Sequence, residues 1–314
     1  MSDRLRQPAE TAVTQCMNLA ADESCTIVTD EHREAIGEAL YEVAAEITDD
    51  VALMRYPPGS QHGAEPPEQV AAAMASSDVV LAPTTKSLSH TTARSDATAA
   101  GARAATLPGI TEEVFVTGLD ADYDRIRAAC EDLLDQVEGA EEIRVTSPQG
   151  TDITLEPGSR EWLPDTGIVH EPGAFSNLPA GEVFVSPETA NGTYVVDGTV
   201  SPHGLLDHHV AFTVEDGYVT DIEDESVRAE VEAAREEAGE DVYNLAELGI
   251  GANVAVTDLV GSVLLDEKAG GTVHLAIGDD HAIGGDTEVP IHLDGILTGP
   301  TVYADGVELD LPRA

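Results

Sequence analysis

Cysteine is scarce in this chain of 314 residues, and long apolar runs are missing. Its three cysteines, Cys16, Cys25 and Cys130, are scattered, and no Cys-x-x-Cys pair occurs. Such a set argues against a disulfide framework and a zinc knuckle, and it is typical of a reduced cytoplasm. No apolar run approaches the roughly 18 residues of a membrane-spanning helix, and the opening residues lack the apolar core of a secretory signal. We therefore expect a cytoplasmic protein that does not enter the membrane.

Two nucleotide-binding signatures are also missing. No Gly-x-Gly-x-x-Gly follows the first predicted strand, and Gly-x-x-x-x-Gly-Lys-Ser/Thr occurs nowhere. Both motifs bring backbone N–H groups close to phosphates. A dinucleotide-binding or P-loop function therefore has no support in the sequence.

Basic residues are few, at 15 against 60 acidic ones, which gives a net charge of −45. The only lysines are Lys86 and Lys268. The acidic residues are spread between apolar segments, so we interpret them as the solvated coat of a halophilic protein, whose self-repulsion needs salt for screening. The same charge disfavours nucleic acids and acidic membranes as partners.

The first 140 residues alternate between strand and helix patterns. Strand patterns cover residues 24–30, 50–57, 78–85 and 103–109, and helical patterns cover residues 31–47, 65–77, 87–102 and 122–137. This alternation predicts an α/β domain at residues 1–140 with a parallel, doubly wound sheet.

After a boundary between residues 138 and 142, short strand patterns dominate. Two helical patterns, at residues 225–241 and 253–269, interrupt them. We therefore predict that residues 141–314 form an α+β domain with a mixed sheet.

Three histidines lie close together in the sequence "GTVHLAIGDDHAIGGDTEVPIHLDGIL", residues 271–297. On a strand, His292 and Asp294 would project from the same face and could bind one divalent ion. Taken alone, a hydrogen-bonded pair on a strand is the better interpretation of these two residues. His274 fits either a ligand or a hydrogen-bonded core residue, and His281 either a ligand or a solvated loop residue. Asp279 and Asp280 are most simply part of the acidic coat.

Two glutamates stand in apolar sequence upstream. Glu182 begins an apolar strand in "NLPAGEVFVSP", and Glu247 lies between Leu245 and Leu248. A buried carboxylate is costly unless it is paired or bound to a metal. Because basic residues are few nearby, both glutamates are candidate ligands, with a buried ion pair as the alternative.

Taken together, "NLPAGEVFVSP", "ELGIGAN", "LLDEKAGGTVHLAIGDDH" and "IHLDGIL" resemble segments of the aminopeptidase T family. This resemblance implies a homodimeric metal-dependent aminopeptidase with two divalent ions, such as Zn²⁺, Co²⁺ or Mn²⁺, that cleaves the N-terminal residue of a peptide substrate. A metal-activated water would attack, and Glu182 or Glu247 would take its proton. His281 stands where aminopeptidase T has a tyrosine ligand. The ligands implied in the C-terminal domain are Glu182, Glu247, His274, His281, His292 and Asp294.

Two other functions remain open. A related branch is similar to 2,5-dihydroxypyridine dioxygenase, a ring-cleaving enzyme with one Fe(II). The set His274, His292 and Asp294 has the two histidines and one carboxylate associated with non-haem iron. The chain could also be a non-catalytic metal-binding protein. The aminopeptidase is our main prediction.

Overall fold

The structure, a computed structural model, describes residues 3–313. Its strands run in the following order: β1 Cys25–Thr29, β2 Val51–Arg55, β3 Val79–Thr84, β4 Arg103–Pro108, β5 Ile143–Thr146, β6 Asp152–Glu156, β7 Leu163–Asp165, β8 Phe175–Asn177, β9 Glu182–Val185, β10 Thr189–Val196, β11 Thr199–Val200, β12 Gly204–Leu205, β13 Val210–Glu215, β14 Tyr218–Ile222, β15 Leu245–Gly251, β16 Val273–Gly278, β17 His292–Leu297, β18 Thr301–Ala304 and β19 Val307–Glu308.

The α-helices are α1 Asp3–Glu10, α2 Glu34–Ala45, α3 Glu68–Ala75, α4 Thr92–Ala99, α5 Glu112–Leu119, α6 Tyr123–Val137, α7 Glu225–Ala238 and α8 Val263–Asp266. A π-helical stretch at Thr11–Cys16 follows α1, and 3₁₀ turns lie at Glu240–Tyr243 and His281–Ile283. Over the described part of the chain, each helix is too short or too polar to cross a membrane.

The chain divides into two compact units. The first contains the described residues up to Arg127 together with Asp165–Ala180, and the second contains Ala128–Pro164 and the described residues from Gly181 onward. The sequence pattern predicts one domain boundary near residue 140. The compact units instead change at three places along the chain, after Arg127, after Pro164 and after Ala180.

The first unit has a five-stranded sheet in the order β2-β1-β3-β4-β8, with every neighbouring pair parallel. On one face, Val28, Val80 and Ala104 pack with Val70 of α3 and Ala97 of α4. Strands buried on both sides read as continuous apolar runs, which is why β1 and β3 could be located from sequence. The predicted parallel α/β domain is confirmed, and the short fifth strand β8 is an addition that the sequence pattern did not indicate.

The second unit contains two seven-stranded sheets, in the orders β14-β13-β10-β6-β5-β18-β19 and β12-β11-β17-β16-β15-β9-β7. The neighbouring pairs among β9, β15, β16 and β17 are all antiparallel. The single mixed sheet that we expected is therefore corrected to two sheets whose registered neighbouring strands run antiparallel.

The helix predicted at residues 253–269 is wrong except for the single turn α8. Gly261 has a φ of +79°, which interrupts a right-handed helix. The buried Asp266 carboxylate accepts hydrogen bonds from the backbone N–H groups of Val260 and Gly261, at 2.9 and 2.8 Å. These bonds fold the segment into a loop despite its helical spacing of apolar residues.

Candidate metal centre

Five of the six predicted site residues lie on four neighbouring strands of the second unit. Glu182 begins β9, Glu247 lies in β15, His274 in β16, and His292 and Asp294 in β17. The strand register places Ala276 of β16 opposite both Glu247 and Asp294. The small alanine therefore lies between the two carboxylates in this row.

Glu247 is at the centre of the group. Its Oε1 lies 3.2 Å from His274 Nε2, and its Oε2 lies 3.3 Å from His292 Nε2. His292 Nε2 also lies 3.3 Å from Asp294 Oδ1. One carboxylate therefore faces two imidazoles at once. The β15–β16 register shifts between Leu245 and Glu247, a bulge of the kind that re-aims side chains beside functional sites.

His274 is packed tightly against the sheet. It is paired with Gly249 of β15, and its side chain is 1% exposed. A Cβ atom on Gly249 would lie 2.0 Å from His274 Cε1 and 2.1 Å from Nε2. Only glycine at position 249 leaves room for the imidazole ring.

Lys268 supplies a buried positive charge that sequence reasoning missed. Its ammonium lies 2.7 Å from Glu182 Oε1 and 2.5 Å from Glu267 Oε1, and its side chain is 3% exposed. Burial raises the pKa of Glu267 to about 8, with the Lys268 charge acting against it and the Glu182 charge adding to it. The sequence did contain a signal for this charge. Lysine is scarce in the chain, and one of its only two lysines lies close to the candidate histidines in sequence.

The donor atoms fit a divalent cation. Among the described residues, two groups have ligand atoms within 4.8 Å of one another: Glu182, Glu247 and His274, and Glu247, His292 and Asp294. Within residues 3–313, Glu182 Oε2 and His274 Nδ1 are buried atoms without a hydrogen-bond partner. Carboxylate oxygens and imidazole nitrogens suit Zn²⁺, Mn²⁺ or Fe²⁺.

The orientation of His292 also suits ligation. Its Nδ1 donates a hydrogen bond of 2.7 Å to the backbone carbonyl of Asp279, which turns Nε2 toward the carboxylates. Metal-binding histidines commonly use the second ring nitrogen in this way. The His292 side chain is 34% exposed, against 9% for Glu247 and 12% for Asp294. Solvent therefore reaches the cluster on the His292 side.

The clustered charges change the pKa values of the histidines and of Glu247. Burial alone would lower the pKa of His274, but its hydrogen bond to Glu247 and the Glu182 charge raise that pKa to about 9. Burial also opposes the charged form of His292, yet Asp294 and Glu247 raise its pKa well above the usual value. Burial would raise the pKa of Glu247, but its bonds to both histidines hold it well below the usual range. A cation entering this cluster would displace protons from the imidazoles.

His281 is not brought into either ligand group. It lies in the 3₁₀ turn His281–Ile283, and its side chain is exposed. Its predicted role as a ligand has no support in this geometry, because the turn faces solvent. Asp280, in contrast, is 4% exposed, so its assignment to the acidic coat is wrong.

Fold and site together define a class of protein: a parallel α/β unit and an antiparallel β unit that carries a cluster of histidines and carboxylates. Two solved structures share this fold. A 2,5-dihydroxypyridine dioxygenase from Pseudomonas putida KT2440 superposes with a TM-score of 0.79 at 20% identity, over 98% of this chain and 95% of the other. AmpT from Thermus thermophilus superposes with a TM-score of 0.70 at 18% identity, over 99% and 98%.

The model of the NicX family, described as 2,5-dihydroxypyridine 5,6-dioxygenase, matches residues 11–309. The chain belongs to this family. A 2,5-dihydroxypyridine 5,6-dioxygenase from Pseudomonas putida is 26% identical over 211 residues, which are 62% of this chain and 59% of that protein. The predicted resemblance to aminopeptidase T is therefore supported for the fold. The family is that of 2,5-dihydroxypyridine 5,6-dioxygenase, which was the alternative prediction.

Proposed function

We propose that this chain is an Fe(II)-dependent ring-cleaving dioxygenase whose substrate is 2,5-dihydroxypyridine or a closely similar hydroxylated ring. The observation that carries the proposal is that Glu247 lies between His274 on one side and His292 with Asp294 on the other, in a chain of the NicX family. Two histidines and one carboxylate are the usual ligands of mononuclear non-haem iron, and they leave positions open for other ligands.

His274, His292 and Asp294 would hold the iron. When bound, Fe(II) supplies the one-electron reactivity through which O₂ can attack an aromatic ring. The backbone carbonyl of Asp279 fixes His292 through Nδ1, and Gly249 leaves the space that His274 fills. These contacts hold the ring orientations before any substrate arrives, which is how a pre-organised site limits its reorganisation.

Glu182 has a separate role in this proposal. Lys268 engages its Oε1 at 2.7 Å, while its buried Oε2 has no hydrogen-bond partner among the described residues. This oxygen also lies 3.5 Å from His274 Nε2. A ring hydroxyl that enters the site can donate to it and transfer its proton there. Glu182 therefore serves as a proton acceptor, which accounts for a glutamate that a single-iron site does not require.

A metal-dependent aminopeptidase is the second candidate. It is favoured by one observation, that Glu247 belongs to both ligand groups and could bridge two adjacent ions. Two ions can share and activate one water for attack on a peptide carbonyl. Lys268 counts against it, because an ammonium already compensates Glu182 in the first group.

The two candidates are separated by loading the metal-free protein with Fe(II) under anaerobic conditions, and separately with Zn²⁺, Mn²⁺ or Co²⁺. The dioxygenase predicts one iron per chain and O₂ uptake that depends on 2,5-dihydroxypyridine. His274→Ala and Asp294→Ala should lose both iron and O₂ uptake, whereas the matched control His281→Ala should keep both. Two ions per chain with release of p-nitroaniline from leucine p-nitroanilide would instead support the aminopeptidase.

A further inference from the structure

Asp280 is a buried aspartate outside both ligand groups. It lies at the start of the loop between β16 and β17 and is 4% exposed. Its Oδ2 accepts hydrogen bonds from Ser186 Oγ at 2.9 Å and Asn244 Nδ2 at 3.0 Å, and its Oδ1 accepts from the Thr287 N–H at 2.7 Å. A charged group with this burial and this many donors organises the structure around it.

The donors connect the loop to the strands of the candidate metal centre. Ser186 directly follows β9, the strand that Glu182 begins, and Asn244 directly precedes β15, which carries Glu247. The backbone of Gly285 packs directly against this carboxylate, because a Cβ atom at position 285 would lie 1.8 Å from Asp280 Cγ. Asp280 thus ties the β16–β17 loop to two other strands of the same sheet.

This anchoring acts on His292 through one peptide unit. The Asp280 N–H donates to the Thr287 carbonyl at 3.1 Å, and the Asp279 carbonyl of the same peptide unit accepts from His292 Nδ1 at 2.7 Å. The Asp279 N–H also donates to the Ile291 carbonyl at 2.7 Å. The acceptor that orients His292 is therefore held in place by the network that Asp280 organises.

We propose that Asp280 is a positioning residue that sets the ring orientation of His292 as a metal ligand. The proposal rests on the proposed metal centre, because it concerns the site through one of its ligands. Without the Asp280 carboxylate, Thr287 loses the acceptor of its N–H, and its carbonyl holds the Asp280 N–H less firmly. The Asp279 carbonyl of the same peptide unit is then less well fixed, and Nε2 of His292 no longer points reliably at the cation. Loss of a hydrogen-bond partner behind a metal ligand typically weakens metal affinity about 10–100-fold.

The test uses Co²⁺, whose visible absorption reports ligand geometry and needs no catalytic turnover. Asp280→Ala should raise the Kd for Co²⁺ about 10–100-fold and alter the visible spectrum of the bound ion. Asp280→Asn keeps an acceptor for Thr287 N–H and should lie closer to the wild-type protein. Gly285→Ala leaves Asp280 in the chain but displaces its carboxylate, so it should change the spectrum in the same direction.

Glu288→Ala is the matched control, because Glu288 is an exposed acidic residue of the same loop. It should leave both the Kd and the spectrum unchanged. If Asp280→Ala and Gly285→Ala both bind Co²⁺ with wild-type affinity and spectrum, the positioning role is overturned while the metal centre stands. If the wild-type protein binds no Co²⁺ or Fe(II), the metal centre itself fails and this proposal fails with it. Should Asp280→Ala not fold, the Gly285→Ala spectrum alone decides.

Discussion

Replacing Gly249 with alanine perturbs the centre through His274 alone and leaves every ligand residue in the chain. The new Cβ would lie 2.0 Å from His274 Cε1. Ordinary carbon contacts begin near about 3.5 Å, so the ring would have to retreat by about 1.5 Å. Metal–ligand distances tolerate only about 0.2 Å, so His274 Nε2 would no longer reach a shared ion.

We expect Gly249→Ala to weaken Fe(II) or Co²⁺ binding by at least about 10–100-fold, the loss seen when a ligand is merely misaligned. The backbone should tolerate the change, because alanine in a strand interior costs less conformational entropy than glycine. Anaerobic isothermal titration of the metal-free protein measures the Kd, and circular dichroism checks the fold.

Gly59→Ala provides the control, since a Cβ at Gly59 would meet only ordinary contacts at 3.5 Å. Its metal affinity should equal that of the wild-type protein. Wild-type affinity in Gly249→Ala would refute the reasoning, because it would mean that the His274 ring does not need the space above Gly249 to act as a ligand.

Three further predictions follow from the charges of the protein. Because the pKa of His274 is raised to about 9 and that of His292 well above its usual value, a metal ion must displace a proton from each imidazole at neutral pH. The apparent affinity should therefore rise by more than about tenfold per pH unit below about pH 9. Titration in buffers of different ionisation enthalpy should detect the proton release, and a pH-independent Kd would contradict this. Lys268→Met should destabilise the metal-free protein by about 3 kcal/mol in urea unfolding, because it leaves the buried Glu182 carboxylate without its counter-charge. An unchanged urea midpoint would show that the ammonium is not a stabilising partner. Because the net charge is −45, the midpoint of thermal unfolding should rise with KCl between about 0.1 and 1 M, as the screening length falls from about 10 to 3 Å. A midpoint that does not change with salt would contradict the interpretation of the acidic residues as a halophilic coat.

Much of the architecture could be predicted because burial leaves a local pattern. Apolar strands alternating with amphipathic helices indicated the parallel sheet, and Glu182 and Glu247 stood out as carboxylates inside apolar segments. The loop at residues 253–269 could not be predicted, since its helical spacing is overridden by hydrogen bonds from Val260 and Gly261 to Asp266. The expected homodimer and cytoplasmic location stay predictions.

Within the centre, sequence spacing identified residues but not their partners. Lys268 and Asp280 look like surface charges in the sequence, and only the fold shows that they are buried against Glu182 and Ser186. The choice between peptidase and dioxygenase was also beyond the sequence pattern. The same histidines and carboxylates serve both chemistries, which differ in the number and kind of metal ions that they hold.

The number and position of the metal ions test the central claim most directly. Crystals of the Fe(II)-loaded protein, measured with X-rays on either side of the iron absorption edge, should give one anomalous peak per chain within bonding distance of His274, His292 and Asp294. Two peaks on either side of Glu247, with Glu182 bound to the second ion, would contradict the account and point to a dinuclear hydrolase.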